Sequence, residues 1–193
     1  MIETEIKARV KNKEQLLEKL KKFSIYKGFL TRSDTYWKNK ISIRIREQEF
    51  NCEKITIVTY KKKELRNVNG LQTEVNEEHE TIIGDRKPFE EFLKDAGFKI
   101  SLKKTKEVHE FQYDITNELL NDEGLIANIE VCTVPPLGDF IEIEIVSEPK
   151  NVGTLELIQN ELLSILEKSG LTEDDIEPKY YSQLLKEAQE NNS

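Results

Sequence analysis

The sequence predicts an α+β protein in which helices flank a closed β-sheet with a charged interior. From Ile2 to Val10, charged residues alternate with small or apolar ones, a pattern typical of a β-strand. Five such stretches carry two like charges spaced i, i+2: Glu3 and Glu5, Arg44 and Arg46, Lys61 and Lys63, Lys104 and Lys106, and Glu142 and Glu144. Residues at this spacing share a face of the strand, where like charges repel. A closed sheet that collects charges of both signs in its interior explains this repetition.

Length and composition favour one domain over residues 1–193, with C-terminal helices at 151–190 packing on the sheet. Hydrophobic residues make up 37% of the chain and charged residues 34%, which fits either a very polar surface or a charged cavity. The net charge of -8, from 29 Lys and Arg against 37 Asp and Glu, argues against nucleic acid as a partner. A small anion in a local basic pocket is compatible with this charge.

Cysteine and histidine usage argues against a zinc site. Cys52 and Cys132 lie far apart without a Cys-x-x-Cys motif, and His79 and His109 form no ligand spacing with them. No apolar stretch approaches the length needed to span a membrane, and the chain starts with a strand instead of a signal peptide. We therefore expect a cytoplasmic protein with reduced thiols.

The N-terminal half is predicted to form five strands and one helix. After the first strand at 1–10, Asn12 caps a helix whose apolar stripe runs to about Phe23. The turn before the fifth strand is predicted at Asn67-Val68-Asn69-Gly70. The other four strands are predicted at 31–38, 41–50, 53–63 and 71–83.

The C-terminal half is predicted to contain three helices and further strands. A helix starts after Asp85 and ends at Gly97, with Pro88 in its first turn. Residues 98–115 are predicted as extended chain with a bend, followed by a turn at 121–124. Two strands at 125–134 and 139–146 precede an amphipathic helix from Thr154 to Gly170 and a last helix that opens at Pro178.

The same-face pairs suit a polyanion bound together with metal ions. Lys and Arg neutralise phosphate oxygens, and carboxylates hold hard divalent cations through oxygen ligands. The alternative is that each pair lies on a solvated strand face. That alternative is strongest for Lys61 and Lys63, which belong to a lysine-rich run. Trp37 is of a residue type that stacks on bases, although packing is the commoner use of tryptophan.

Six short motifs occur along the chain in a recognisable order. The first is Glu3-x-Glu5-x-Lys7 at the N-terminus. The others are Asp34-Thr35-Tyr36, Ile43-Arg44-Ile45-Arg46, Thr59-Tyr60-Lys61, the run from Leu137 to Glu144 and the run from Lys179 to Leu185. Together they resemble the CYTH superfamily, the triphosphate tunnel metalloenzymes, which includes class IV adenylate cyclases and thiamine triphosphatases. The resemblance extends over nearly the whole chain.

The resemblance implies an eight-stranded antiparallel β-barrel, the triphosphate tunnel, flanked by helices. It implies that one or two Mg²⁺ or Mn²⁺ ions are bound by Glu3, Glu5 and Glu142, with Glu144 as a further ligand. It implies that the triphosphate is bound by Lys7, Arg44, Arg46, Lys61, Lys104 and Lys106. The residues expected to carry the catalysis are Glu3, Glu5, Arg46 and Lys61.

Two positions depart from the family pattern. Gln72 replaces the Arg of an Arg-x-Glu motif, which removes a cation from the tunnel. Cys132 stands where the family usually has a metal-binding Asp. Glu130 lies on the same strand face as Cys132 and is expected to take its place as a metal ligand.

The resemblance implies three possible functions. The first is a class IV adenylate cyclase that converts ATP to cyclic AMP and pyrophosphate. The second is a hydrolase that releases phosphate from inorganic tripolyphosphate, thiamine triphosphate or a nucleoside triphosphate. The third is a nucleotide- or polyphosphate-binding protein without turnover. A homodimer is expected by analogy with the family.

Overall fold

The sheet is a closed barrel of eight antiparallel strands, which confirms the predicted fold class. The computed structural model describes residues 2–68, 71–116, 125–147 and 152–190. Around the barrel the strand order is β1-β5-β4-β3-β2-β6-β7-β8. The strands are β1 (Ile2–Val10), β2 (Ile25–Lys38), β3 (Ser42–Phe50), β4 (Glu53–Val68), β5 (Leu71–Ile83), β6 (Lys99–Asp114), β7 (Ile126–Val134) and β8 (Gly138–Ser147).

The four α-helices are α1 (Lys13–Leu20), α2 (Arg86–Asp95), α3 (Val152–Lys168) and α4 (Tyr181–Glu190). Both predicted N-caps are present. The side chain of Asn12 accepts a hydrogen bond from the Gln15 backbone N–H at 3.0 Å, and that of Asp85 accepts one from the Lys87 N–H at 3.0 Å. Each therefore satisfies a backbone donor that the first helical turn leaves unpaired.

Several element boundaries differ from the predictions. β2 begins at Ile25 instead of 31. The prediction placed its start too late because Gly28, with φ of +147°, lies at a register shift against β6 that breaks the alternation of side chains. Helix α1 ends at Leu20, and α4 begins at Tyr181 instead of Pro178. Strand β4 continues to Val68 instead of 63, so that Asn67 and Val68 of the turn predicted at 67–70 belong to the strand. Residues 69–70 and the turn predicted at 121–124 lie outside the described residues.

The main hydrophobic core lies outside the barrel. Buried side chains of β1, β7 and β8, among them Ile6, Ile129 and Ile143, pack against Ile158 and Leu162 of α3 and against α1. Because side chains alternate across a strand, the neighbours of these residues point into the barrel. The outer face thus supplies the hydrophobic stabilisation and leaves the interior available for charge.

A second outer cluster explains the use of Trp37. This side chain is buried together with Ile45, Val58 and Leu93, the last of which belongs to α2. Trp37 therefore packs beneath a helix and is not placed to stack on a base. Among the described residues, no helix is long and apolar enough to cross a membrane.

The C-terminal segment completes the barrel beside β1. Strand β5 pairs with β1 only from Ile2 to Glu5, whereas β8 pairs with β1 along its whole length. Further along β1, Ile176 forms a bridge with Ala8, and the Glu177 N–H donates to the Lys7 carbonyl oxygen at 2.8 Å. The segment thereby brings the start of α4 to the barrel interior.

The position of the core generates a first prediction. Replacing Ile143, which is fully buried beneath the helices, with Ala should lower the free energy of unfolding by about 2–5 kcal/mol, since it leaves a cavity. Ile82→Ala is the control, because Ile82 is 69% exposed and its change should stay within about 0.5 kcal/mol. Urea unfolding measures both. Equal effects would contradict a core that lies outside the barrel.

Candidate functional site

A large cavity of about 800 Å³ occupies the barrel interior. It brings together every residue that the sequence predicts for the site. These are Glu3, Glu5, Lys7, Arg44, Arg46, Lys61, Lys104, Lys106, Glu130, Glu142 and Glu144. The placement of these side chains is observed, whereas their individual roles remain predictions. The side chains of Lys63 and Gln72 lie outside the described part of the chain.

Strand register makes the charged residues cross-strand neighbours. On β1, Glu5 is opposite Glu144 and Lys7 is opposite Glu142, and Glu142 is in turn opposite Glu130. Directly opposed side chains on one sheet face interact strongly. The alternation within each strand therefore becomes a continuous charged lining around the barrel.

One region of the lining, formed by Glu3, Glu5, Glu78 and Glu144 and called here the acidic region, is rich in carboxylates. Burial and the hydrogen-bonded carboxyl of Glu78 raise the pKa of Glu3 to about 8. Burial and the charge of Glu74 raise the pKa of Glu5 to about 7. Burial also raises the pKa of Glu144. Burial and neighbouring like charges thus disfavour the ionised forms of these three carboxylates.

Lys61 supplies positive charge to the acidic region. Its ammonium nitrogen lies 2.7 Å from Glu3, 3.0 Å from Glu78 and 4.0 Å from Glu5. Although burial opposes it, the hydrogen bond from Glu3 and the charge of Lys61 lower the pKa of Glu78 to about 2. Lys61 is thus shared among three carboxylates, and Arg44 adds a contact with Glu78 at 3.7 Å, so that two cations serve four carboxylates.

A second part of the lining, around Lys106, is electrically balanced. The Lys106 nitrogen lies 2.5 Å from Glu130 and 2.9 Å from Glu142, and Arg32 also pairs with Glu130. Although burial opposes the shift, the charges of Lys106 and Arg32 lower the pKa of Glu130 to about 2. Lys106 and Lys104 likewise hold the pKa of Glu142 well below its usual range against burial. Both carboxylates are already neutralised by protein cations.

Buried Asp34 anchors two of the predicted phosphate ligands. It accepts two hydrogen bonds from Arg46, at 2.7 and 3.1 Å, and lies 3.5 Å from the Lys104 nitrogen. Burial alone would raise its pKa, but the Arg46 charge keeps the pKa of Asp34 well below the ordinary value. The planar guanidinium is held by one edge, and this fixes its orientation in the cavity.

Sequence reasoning missed several polar and charged residues of the cavity. Arg32 and Tyr36 lie on β2 on the same face as Asp34, and Glu78 and Glu80 lie on β5. The signal for Arg32 was its alternation with Asp34 and Tyr36 along the strand. Because Arg32 is not paired with a like charge at i, i+2, a search for same-sign pairs could not find it.

The Cys132 side chain lies inside the barrel but does not line the cavity. It is fully buried in an apolar cluster with Leu30, Val108 and Phe140, which Leu184 of α4 also contacts. Its sulfur is 3.4 Å from a Glu142 carboxylate oxygen, and burial raises the pKa of its thiol to about 12. A neutral thiol in these surroundings is a poor ligand for Mg²⁺ or Mn²⁺.

The donor chemistry of the acidic region fits a hard divalent cation. Within the described ranges, no three His, Cys, Asp or Glu side chains already converge as a metal-binding group. Glu3, Glu5 and Glu144 nevertheless offer the oxygen ligands that Mg²⁺ and Mn²⁺ prefer, and their raised pKa values reflect the need for another positive charge. Glu130 and Glu142 are weaker candidates for metal ligands because Lys106 already neutralises their charge.

Sequence comparison identifies relatives across nearly the full length. The CYTH domain family matches residues 1–181. A curated relative from Methanocaldococcus jannaschii, named "Putative adenylate cyclase", is 26% identical over 197 residues. The match covers 95% of this chain and 98% of the relative.

Solved structures share the barrel fold. A Pyrococcus horikoshii OT3 protein has a TM-score of 0.75 and 24% identity, with 96% of this chain and 99% of that chain covered. A Hippeastrum protein, whose description combines "putative adenylyl cyclase" with a dominant triphosphatase activity, has a TM-score of 0.54 and 16% identity, with 88% of each chain covered. At these identities the two structures establish the fold.

The contrast between the acidic and balanced parts of the lining generates a second prediction. Because the folded-state pKa of Glu5 is about 7, ionised Glu5 destabilises the fold at pH 8. Glu5→Gln should then raise the free energy of unfolding by roughly 1–3 kcal/mol in EDTA. Glu142→Gln should instead lower it by roughly 3 kcal/mol, since Lys106 loses a buried partner. Urea unfolding at pH 8 measures both, and changes of the same sign would contradict this electrostatic division.

Proposed function

The chain belongs to the CYTH domain family, and we propose that it is a divalent-metal-dependent enzyme that converts ATP to cyclic AMP and pyrophosphate. The observation that carries the proposal is the shared cavity, in which carboxylates short of positive charge face arginines and lysines. A metal-bound triphosphate has the matching charge distribution, since its oxygens suit the cations and its metal suits the carboxylates. The name of the Methanocaldococcus jannaschii relative supports adenylate cyclase as the activity.

The proposed triphosphate ligands come from different sides of the barrel. They are Lys7, Arg44, Arg46, Lys61, Lys104 and Lys106, which lie on β1, β3, β4 and β6. Arginine can bind two phosphate oxygens at once, whereas each lysine acts as a compact charge. Ligands on several strands would enclose the anion, so that it is oriented as well as bound.

Glu3, Glu5 and Glu144 are the proposed holders of Mg²⁺ or Mn²⁺, with Glu142 and Glu130 as the further metal ligands expected from the family pattern. A bound divalent ion would neutralise phosphate oxygens and stabilise the charge that develops during phosphoryl transfer. Arg46, held by Asp34, and Lys61, held by the acidic region, are proposed to stabilise the same charge from the protein side. Metal binding would also release Lys61 from some of its carboxylate partners.

The proposed reaction has few covalent requirements. The ribose 3′-hydroxyl attacks the α-phosphate, the new O–P bond forms, and the bond to the β-phosphate breaks as pyrophosphate leaves. The hydroxyl proton passes to solvent water. Such a transfer depends chiefly on positioning and charge stabilisation. The cavity volume of about 800 Å³ lies within the range of sites that hold whole organic ligands, so the nucleoside can enter along with its phosphates.

Hydrolysis of a triphosphate is the second candidate function. The cavity lining is dominated by charged groups, and its uncharged members include the small residues Ser42, Thr59 and Ser101. Its aromatic and apolar members, among them Tyr36, Phe111 and Tyr181, are fewer than the charged side chains that can contact phosphates. This observation favours thiamine triphosphate or tripolyphosphate, whose recognition depends on the phosphates, with water as the nucleophile.

Product identification separates the two candidates and forms a third prediction. Incubation with ATP, thiamine triphosphate or tripolyphosphate and either Mg²⁺ or Mn²⁺ should give cyclic AMP and pyrophosphate from ATP, as resolved by chromatography. Glu107→Gln, on the exposed outer face of β6, should retain the activity, whereas Glu3→Gln should lose most of it. Orthophosphate without cyclic AMP would assign the protein as a triphosphatase. Binding without turnover of any substrate would favour a binding protein.

Ligand-dependent stability provides a fourth prediction. Mn²⁺ with tripolyphosphate should raise the melting temperature, since a ligand that binds only the folded protein stabilises it by about 2.7 kcal/mol at 100 times its Kd. In Glu3→Gln the increment due to Mn²⁺ should disappear, and in Glu107→Gln it should persist. A thermal scan that shows no shift of the unaltered protein at millimolar concentrations would contradict the triphosphate-metal site.

A further inference from the structure

The start of α4 inserts Tyr181 into the charged cavity. This tyrosine follows the segment in which Ile176 bridges Ala8 of β1, and it lines the cavity although it belongs to no strand. Its hydroxyl donates to a Glu142 carboxylate oxygen at 2.5 Å. Its ring meets the Phe140 ring edge to face, with centroids 5.1 Å apart and an interplanar angle of 88°. The ring is therefore held at both its polar and its apolar side.

Two of the proposed phosphate ligands lie against this ring. The ammonium nitrogen of Lys104 is 4.4 Å from the Tyr181 ring centroid, and that of Lys7 is 4.7 Å away. These distances lie within the range of attractive cation–π contacts. Lys7 also donates a hydrogen bond to the backbone carbonyl of Lys179 at 2.6 Å. One aromatic side chain thus contacts both cations.

The other cavity cations are held differently. Lys61 and Lys106 each lie within 3.0 Å of two carboxylates. Within the described ranges, no carboxylate oxygen lies within 4.0 Å of the Lys7 ammonium nitrogen. Lys104 approaches Asp34 at 3.5 Å, but that carboxylate already accepts two hydrogen bonds from Arg46.

A ring and a carboxylate have different effects on a bound cation. A carboxylate neutralises a lysine and competes with an incoming phosphate, whereas an aromatic ring attracts the cation and carries no net charge. A lysine held by a ring consequently keeps its positive charge available, and less side-chain freedom is lost when the anion binds. The contacts around Tyr181 meet this requirement most fully for Lys7, whereas Lys104 also has Asp34 at 3.5 Å, a carboxylate that it shares with Arg46.

We infer that Tyr181 is a positioning residue that holds Lys7 and Lys104 ready for phosphate without neutralising them. The inference rests on the proposed function, because it takes the anion in the cavity to be a triphosphate. The aromatic ring of Tyr181, and not its hydroxyl, holds the two lysines. The hydroxyl has a separate contact, with Glu142, which also keeps its bond to Lys106.

Metal-free binding of tripolyphosphate, measured by calorimetry in EDTA, tests this role directly. Tyr181→Leu removes the ring and should raise the Kd about tenfold through loss of two cation–π contacts. Tyr181→Phe keeps the ring and should restore the affinity to within about threefold of the unaltered protein. Thermal unfolding of each variant establishes that it is folded. If Tyr181 acted through its hydroxyl, Tyr181→Phe would not restore the affinity.

Tyr113→Leu is the matched control, since the Tyr113 ring also lies beneath a lysine, with the Lys168 nitrogen 4.8 Å from its centroid, but away from the cavity. Its Kd for tripolyphosphate should be unchanged. An unchanged Kd in Tyr181→Leu, equal weakening in Tyr181→Phe, or equal weakening in Tyr113→Leu would overturn the inference and leave the proposed function intact. Failure of the unaltered protein to bind tripolyphosphate in EDTA alone would overturn the inference, and failure with Mn²⁺ as well would overturn both.

Discussion

Repulsion between like charges inside a closed barrel is the constraint on which the rest of this structure depends. Glu3, Glu5 and Glu144 lie in an interior where burial and neighbouring carboxylates raise their pKa values. Such an arrangement costs stability, which the fold offsets in two ways. Lys61 and Lys106 place positive charge between the carboxylates, and the packing of α1 and α3 on the outer face supplies a hydrophobic core. The charged interior is compatible with folding because the core is elsewhere.

The same constraint divides the interior into regions with different chemical capacities. Around Lys106 the charges balance, so Glu130 and Glu142 have little need for another cation. In the acidic region Lys61 serves three carboxylates and Arg44 contacts one of them, so that two cations face four carboxylates. The Tyr181 ring creates a third environment, where Lys7 and Lys104 lie against an uncharged ring and Lys104 shares the carboxylate of Asp34 with Arg46. A metal-bound triphosphate would complement the acidic region and the ring-held lysines at once, which links substrate and metal binding in the proposed enzyme.

Residues that recur every second position could be predicted from the sequence, because the pleat of a strand places them on one face. The pairs Arg44 and Arg46 and Lys104 and Lys106 were found in this way, and the family resemblance supplied the strand number. Tyr181 could not be assigned, since its place in the cavity depends on the path of the C-terminal segment beside β1, a tertiary contact that no local pattern encodes. The early start of β2 was missed because Gly28 lies where the alternation is interrupted.

The most direct test of the central claim is a crystal structure with Mn²⁺ and tripolyphosphate, in which the anomalous signal locates the metal. The account predicts Mn²⁺ at oxygens of Glu3, Glu5 and Glu144, with the phosphates against Lys7, Arg46 and Lys104 in the same cavity. This result would show that the charge-deficient carboxylates and the available cations act on one ligand. Tripolyphosphate bound on the outer surface, or Mn²⁺ bound away from the acidic region, would contradict it.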